Sequence, residues 1–470
     1  MKRWSCDTLI VGSGPGGAMT AALLAEAGVD VLLVEEGAHL SVDSSPDHSL
    51  AQMDEKWRSG GLTAALGNPK VTYIEGRCVG GASESNAGLY HPPIDDVLQT
   101  WADAYQIADF GPEDLAPHLA YVIDEIGVSK RPDGYSPASE RLAEGAEKMG
   151  WRWAEIERFW RYGGSGLGNR RSMSETLIPR AVAAGARLEP NTCIDKILRK
   201  GRRAVGASGR SVGEAVHVDC QRVIVCAGAV QTPRLLRNSG FSHVGNGLTL
   251  NPMVRIVARF PSTVNVPAFG VPVVQIEEFK PQLTIGCSYS APPHLAMWIE
   301  GDATTVRRNL EDWEQMAVFY VKVCGQGTGT VRTTPIFGDA LVRYRTHHDD
   351  YAMMGIGLEY LAQALFAAGA SEVHSPLPGA PALTSAAQSN ALRHVLTPRN
   401  ASLSAIHLHS TVRMGEAADK CGADSFGKLR GADNIWVNDS SLLPTSPGVN
   451  PQGTILAIAH RNVGRWLDER

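Results

Sequence analysis

The hydrophobic pattern changes character along the chain, and each change predicts a different element. Leu9-Ile10-Val11 is a short apolar run that ends in glycines, and 31–34 is a second such run. The alanine-rich stretch between them predicts a helix, so residues 6–36 read as strand, glycine turn, helix, strand, the opening of a βαβ unit. Residues 60–90, rich in glycine and small side chains, predict an extended loop lying along a ligand. Over 94–125 the spacing turns helical, with Val97, Trp101 and Tyr105 followed by Leu115, Leu119 and Val122. Strand and helix return over 173–240, with strands at 193–198 and 216–226 and a helix from Pro233. Between about 250 and 346 apolar and polar positions alternate, as in 272–277, 315–323 and 340–344, which predicts strands. One amphipathic helix follows, N-capped by Asp349 or Asp350. Met354, Leu358, Leu361, Leu365 and Phe366 form its stripe, and Gly369 is its stop. Residues 434–438 predict a last strand and 452–467 a terminal helix.

These patterns give an α/β chain (α+β overall) of two discontinuous domains. A Rossmann-like nucleotide-binding domain takes 1–90, 173–250 and 400–470, and an inserted, mainly antiparallel β-sheet substrate or cap domain takes 91–172 and 251–399. With 470 residues, 43% of them hydrophobic, the chain can fill both cores. The net charge of −5 and the lack of a polybasic block argue against nucleic acid or an anionic membrane as partner. Eight cysteines without a CxxC pair suggest neither a zinc ribbon nor a disulfide framework. Met1-Lys2-Arg3-Trp4 mimics the start of a signal peptide, but the apolar run after Asp7 is too short. No apolar stretch approaches the ~18 residues of a membrane span. A reduced, cytoplasmic setting is therefore expected, and the sequons at Asn400 and Asn438 carry no weight.

The first strand runs into Gly12-Ser13-Gly14-Pro15-Gly16-Gly17, a GxGxxG match at Gly12, Gly14 and Gly17. The first glycine permits a tight turn, the second lets backbone approach a pyrophosphate, and the third allows close helix–strand packing. Glu35, at the end of the second strand and about 20 residues on, suits a ribose hydroxyl better than its neighbour Glu36. A carboxylate there disfavours a 2′-phosphate and leaves FAD or NAD.

Later blocks separate the two. The segment from Gly76 through Arg77, Gly80, Gly81 and Ser85 to Asn86 resembles the N-terminal signature of the glucose–methanol–choline (GMC) oxidoreductases. Gly228 to Gly240 resembles the second signature, and Val244-Gly245 to Pro252 the loop after it. His407 to Gly415 and the stretch from Val437 to Asn450-Pro451 resemble the C-terminal active-site blocks, closest to the long-chain alcohol oxidase and cholesterol oxidase branches. The resemblance implies FAD, with Gly80, Gly81 and Asn86 along the pyrophosphate and the ring system. Ser85 stands where some relatives carry a histidine that tethers the cofactor, so noncovalent FAD is expected. Asp439 matches the family acid near the pyrophosphate and ribityl chain, a role compatible with a plain N-cap.

The same resemblance implies oxidation of an alcohol to an aldehyde or ketone, with hydride passing to flavin N5 and dioxygen or another acceptor taking the electrons. His407 aligns with the family's catalytic histidine, and imidazole suits a proton acceptor near neutral pH. Asn450 aligns with the second catalytic position, where an amide can hold the substrate oxygen. Pro451 would begin a helix whose N-terminus faces the flavin. His409 shares a strand face with His407 and is its rival; the pair is also a metal half-site, but no third ligand has convincing spacing, so no metal is expected. His347-His348 reads as a solvated turn. Three positions depart from the family pattern: Ala82 for a hydroxyl residue, Asn251 for a frequent histidine and Ser410 for a common glycine. The chain is also short for the family, consistent with a reduced lid. A lyase or decarboxylase of the same fold and a non-catalytic flavin-binding protein are the alternatives.

Overall fold

In the computed structural model, which describes residues 1–163, 168–299, 303–375, 377 and 381–469, the first strand, β1 (Lys2–Val11), becomes fully buried over its last four residues. Helix α1 (Pro15–Glu26) and strand β2 (Val31–Val34) complete the expected βαβ opening, and β2 is buried throughout, as befits an inner parallel strand. Strand β3 (Glu214–Val225) lies parallel to β1 on the other side. Register brings Val34 and Val225 level with Val11, and Val437 of the strand Ile435–Val437 level with Val225. Four strands therefore end together, and the carboxyl edge they form is where doubly wound sheets bind ligands.

Helix α2 (Gly228–Asn238) begins earlier than the sequence suggested, and Pro233 lies inside it. A proline cannot donate to the carbonyl of residue i−4, here Ala229. The Thr411 hydroxyl donates to that carbonyl instead, at 2.8 Å, which satisfies the acceptor the proline leaves free. The expected helical stretch over 94–125 is likewise two helices, Asp95–Tyr105 and Pro112–Val122. Gln106 adopts a left-handed C-cap after the first, and Pro112 opens the second.

The inserted sheet is built around β4 (Met253–Arg259) and β5 (Met316–Val323), paired antiparallel with Met253 opposite Lys322. One face, with Val254, Ile256, Phe319, Val321 and Val323, packs against helix α3 (His348–Ala367) through Met354, Leu358, Leu361 and Leu365. Gly369 follows α3 with φ +89°, the expected stop. The start differs from expectation: His347 is the N-cap and accepts from the Asp349 amide, while Asp350 accepts from the His347 amide at 3.1 Å. His347-His348 thus begins the helix rather than forming a turn before it, and the His348 side chain is solvated as expected.

The nine-stranded sheet also recruits Thr63–Ala65, Val71–Tyr73 and Leu403–Ala405, two of them from the stretch read as loop. Helices Asp95–Tyr105 and Pro112–Val122 bury Leu98, Trp101, Leu115 and Val122 in the cores of the parallel sheet. Both domains thus draw on segments beyond their expected limits. The region read as β-rich also contains short helices at Pro292–Ala296 and Ala303–Asn309. Two final elements lead to the site: β6 (Leu408–His409) and α4 (Gln452–Asp468). No helix among the described residues is long and apolar enough to cross a membrane.

Candidate active site

A single cavity runs from the carboxyl edge of the parallel sheet to the open face of the inserted sheet. At its first end, Gly12 turns with φ +99°, and a Cβ there would sit 2.4 Å from the Cys226 carbonyl oxygen. A Cβ at Gly17 would lie 1.9 Å from the Gly12 carbonyl oxygen, so the helix packs on the turn as expected. Gly14 is different: a Cβ would meet nothing within 4 Å, because it would project into the cavity. Gly81 closes over this loop, with an added Cβ only 2.8 Å from the Gly14 α-carbon, and Gly80 turns beside it with φ +93°. An open cradle at the N-terminus of α1 suits an anionic pyrophosphate.

Glu35 is buried at the end of β2. One of its oxygens accepts from the Ser13 amide (3.0 Å) and hydroxyl (2.7 Å), the other from the Gly37 amide (2.9 Å). Burial pushes its carboxyl up, opposed by those hydrogen bonds. Glu36 is ion-paired to Arg58 and Arg77, which hold its charge elsewhere. Asp439 caps the turn Ser440–Leu442 and also ties it to α2, accepting from the Gly228 amide (2.8 Å) and the Thr232 hydroxyl (2.5 Å). Its cap role and its position on the cavity wall coexist. Asn86 donates to Gln452 Oε1 at 2.6 Å and accepts from the Gly88 amide at 2.8 Å, linking the glycine segment to α4. Gly cradle, helix terminus and buried carboxylates together fit a flavin dinucleotide.

At the other end His407, Asn450 and Pro451 line the cavity. Pro451 is the N-cap of α4 rather than its first residue; its carbonyl accepts from the Ile455 amide at 2.8 Å. His407 Nδ1 is buried without a partner among the described residues, so Nε2 is the nitrogen left for the cavity. Burial pushes the His407 imidazole well below its usual range, with Lys322, His409 and His91 adding repulsion. His409 is fully buried opposite Thr249 in the strand pair and is not among the cavity-lining side chains. Burial pushes it down to about 3.

The sequence reading missed several residues here. Lys322 on β5 is 2% exposed, lines the cavity and donates to Asn450 Oδ1 at 3.1 Å. A charged lysine has only donors, so beside the ammonium the amide turns its oxygen to Lys322 and its NH2 away. Arg255 and Tyr320 line the same sheet face, and Tyr320 accepts from Gln275 at 2.7 Å, which itself contacts His91 at 2.9 Å. Charged residues inside otherwise apolar strands were the available signal. Gly16 was also missed: a Cβ there would lie 1.8 Å from the Asn438 carbonyl oxygen.

The departures from the family pattern have visible settings. Ser410 takes φ +75°, a conformation that favours glycine, and its hydroxyl pairs with that of Thr249 at 2.7 Å. Asn251 donates to Ser446 and lies outside the cavity lining. Among the described residues, metal-ligating atoms cluster at His347, His348 and Asp349, on the rim of α3 and not in the cavity.

Comparison with known proteins agrees with this architecture. Models of the GMC oxidoreductase family match residues 53–253 and 329–459, and an FAD binding domain matches residues 5–67. A GMC-type oxidoreductase of Sinorhizobium fredii is 35% identical, covering 97% of this chain and 93% of its own length. A long-chain-alcohol oxidase of Arabidopsis thaliana is 25% identical over 97% of this chain and 67% of its own. Pyridoxine 4-oxidase from Mesorbium loti shares the fold with a TM-score of 0.76 at 20% identity, covering 99% of this chain and all of that one. The chain belongs to the GMC oxidoreductase family and is an FAD-dependent oxidoreductase.

Proposed function

We propose that this enzyme oxidises an alcohol to an aldehyde or ketone, with His407 accepting the hydroxyl proton and Asn450 holding the oxygen. The observation that carries this reading is that His407 and Asn450 face one cavity together with the dinucleotide cradle. Bound FAD, held noncovalently by the Gly12–Gly17 turn, Glu35, Gly80, Gly81, Asn86 and Asp439, supplies the acceptor for the carbinol hydride.

The residues divide the remaining work. The depressed His407 is neutral at working pH, so its Nε2 lone pair is free to receive the proton. Lys322 fixes the Asn450 amide through Oδ1, which leaves Nδ2 to donate to the substrate oxygen. The N-cap end of α4 brings positive dipole to the same place. Asn438 braces this arrangement from behind, donating to Thr20 of α1 at 2.9 Å and accepting from Asn462 of α4 at 3.0 Å.

The test is anaerobic mixing of the holoenzyme with a panel of aliphatic, aromatic, sterol and sugar alcohols while flavin absorbance is followed. Bleaching with stoichiometric aldehyde or ketone is expected for at least one class. If none bleaches the flavin, the oxidation reading fails and lyase chemistry or simple binding takes its place. The relative named an alcohol oxidase makes dioxygen the first electron acceptor to try.

A further inference from the structure

The strand pair β4/β5 presents two cations to the cavity. Along β4, Val254 and Ile256 face the α3 core while Met253 and Arg255 face the cavity; along β5, Val321 and Val323 face the core while Tyr320 and Lys322 face the cavity. Register sets Met253 opposite Lys322 and Arg255 opposite Tyr320, so the two cations occupy diagonal positions. Diagonal neighbours in an antiparallel pair lie ~7–8 Å apart, within reach of one small group between two long side chains.

Neither cation has a counter-charge among the described residues. Lys322 touches the neutral Asn450 amide, and Arg255 bonds the Ser404 hydroxyl and lies over the Trp298 ring at 5.0 Å. Lys280, a further cation that repels Lys322, is already paired with Glu277 at 2.5 Å. The four acids on the cavity wall are committed elsewhere: Glu35 to Ser13 and Gly37, Glu36 to Arg58 and Arg77, Glu75 to Arg58 and Gln231, and Asp439 to α2. Burial lowers both cations, Lys322 to about 7 and Arg255 to about 10, the direction expected of buried charge without compensation. Buried charge is costly unless paired, so a wall that keeps two cations is suited to an anion that arrives with the ligand.

Resting on the oxidation reading above, we propose that the alcohol carries a carboxylate, seated between Lys322 and Arg255 within a few carbons of the carbinol. The contact between Lys322 and Asn450 sets that short spacing, because the amide that takes the alcohol oxygen touches the ammonium. An ammonium and a guanidinium fork match the two oxygens of a carboxylate.

The test has two parts, both on the holoenzyme. First, oxidised enzyme is titrated with butyrate and with butyramide, neither of which is an alcohol, while the flavin absorption band is followed. Butyrate should bind at least tenfold more tightly; Lys322→Met should remove that preference with flavin still bound, and Lys322→Arg should keep it. Equal binding of the two probes, or an unchanged preference in Lys322→Met, overturns the proposal. Second, anaerobic flavin bleaching is compared for 3- and 4-hydroxybutyrate, 1- and 2-butanol, and glycerol 3-phosphate. The hydroxy acids should be fastest. Faster bleaching by the butanols overturns the carboxylate seat while alcohol oxidation stands, and faster bleaching by the phosphate ester replaces carboxylate by phosphate. Tight butyrate binding without bleaching by any alcohol retains the seat and removes the oxidation reading.

Discussion

The imidazole rings of His407 and His409 lie 6.4 Å apart, yet only His407 lines the cavity. The two sit on one short stretch at and beside β6, and the intervening Leu408 would give them similar directions in an ideal strand. His407, however, precedes β6 and follows a bend at Ile406, so the ideal alternation does not extend to it. His407→Ala should slow anaerobic flavin reduction by about 10²–10⁴-fold with the visible flavin spectrum retained. His409→Ala, at a side chain that does not line the cavity, should leave the limiting rate near the wild-type value. Stopped-flow reduction of both variants with one good substrate decides; a larger rate loss in His409→Ala exchanges the roles.

The depressed His407 also has a signature in pH. A base works in its neutral form, which is lost as pH falls through the folded-state value, here well below 6.5. The limiting reduction rate at saturating substrate should therefore hold steady as pH is lowered through 6.5. A midpoint at 6.5 or above, absent in His407→Ala, would show that the imidazole is not held neutral as the buried setting requires.

The glycines separate cofactor binding from folding. A Cβ at Gly14 meets empty cavity, whereas one at Gly16 strikes the Asn438 backbone. Gly14→Val should fold with unchanged far-ultraviolet circular dichroism and be colourless. Gly16→Ala should be destabilised or insoluble, because backbone rather than a side chain must give way. With Ser85 at the tether position, acid precipitation of the wild type should release a yellow supernatant; yellow pellets would mean covalent attachment.

The parts of the site that were legible in the sequence are local. Strand, glycine turn, helix and Glu35 follow one another within a few dozen residues, and their chemistry is written in their order. Lys322 and Arg255 were not legible in the same way, because alternation within a strand reveals two faces without naming which one meets the cavity. Helix α2 was misplaced for a different reason: the group that compensates Pro233 is the Thr411 hydroxyl, 182 residues beyond its acceptor Ala229. Asp439 serves as the expected cap through one oxygen, while its other oxygen reaches α2, a tie between distant segments that the local sequence does not show.

Asn450 offers the substrate one oriented amide. Losing such a donor typically costs about 3 kcal/mol, or roughly a hundredfold in rate. Asn450→Ala should therefore lower the flavin reduction rate by about that factor and leave flavin bound. Asn450→Asp should lose the donor but gain an ion pair with Lys322, so it should bind butyrate less well than the wild type. An unchanged reduction rate in Asn450→Ala removes the residue from the mechanism.

Lys322 places function and stability in opposition. Its folded value of about 7 lies below the ordinary lysine value of 10.5, with burial as the main cause and Lys280 adding repulsion. Cys324 beside it favours the charged form, and His91, His407 and His409 are the other titratable groups it influences. Below pH 7 the lysine is charged in folded and unfolded chains alike, so the folded state bears the full cost of burying that charge. Between 7 and 10.5 the unfolded chain binds the additional proton, so this contribution to stability rises with pH. Lys322→Met removes the charge while keeping most of the side-chain volume. At pH 6 the variant holoenzyme should denature at a higher temperature than the wild type, and the gap should narrow steadily toward pH 10. A gap that is constant with pH would mean that Lys322 has the same proton affinity folded and unfolded. A variant less stable than the wild type at pH 6 would mean that the ammonium is compensated in the folded protein, and the anion-deficient wall proposed for the substrate would lose its physical basis.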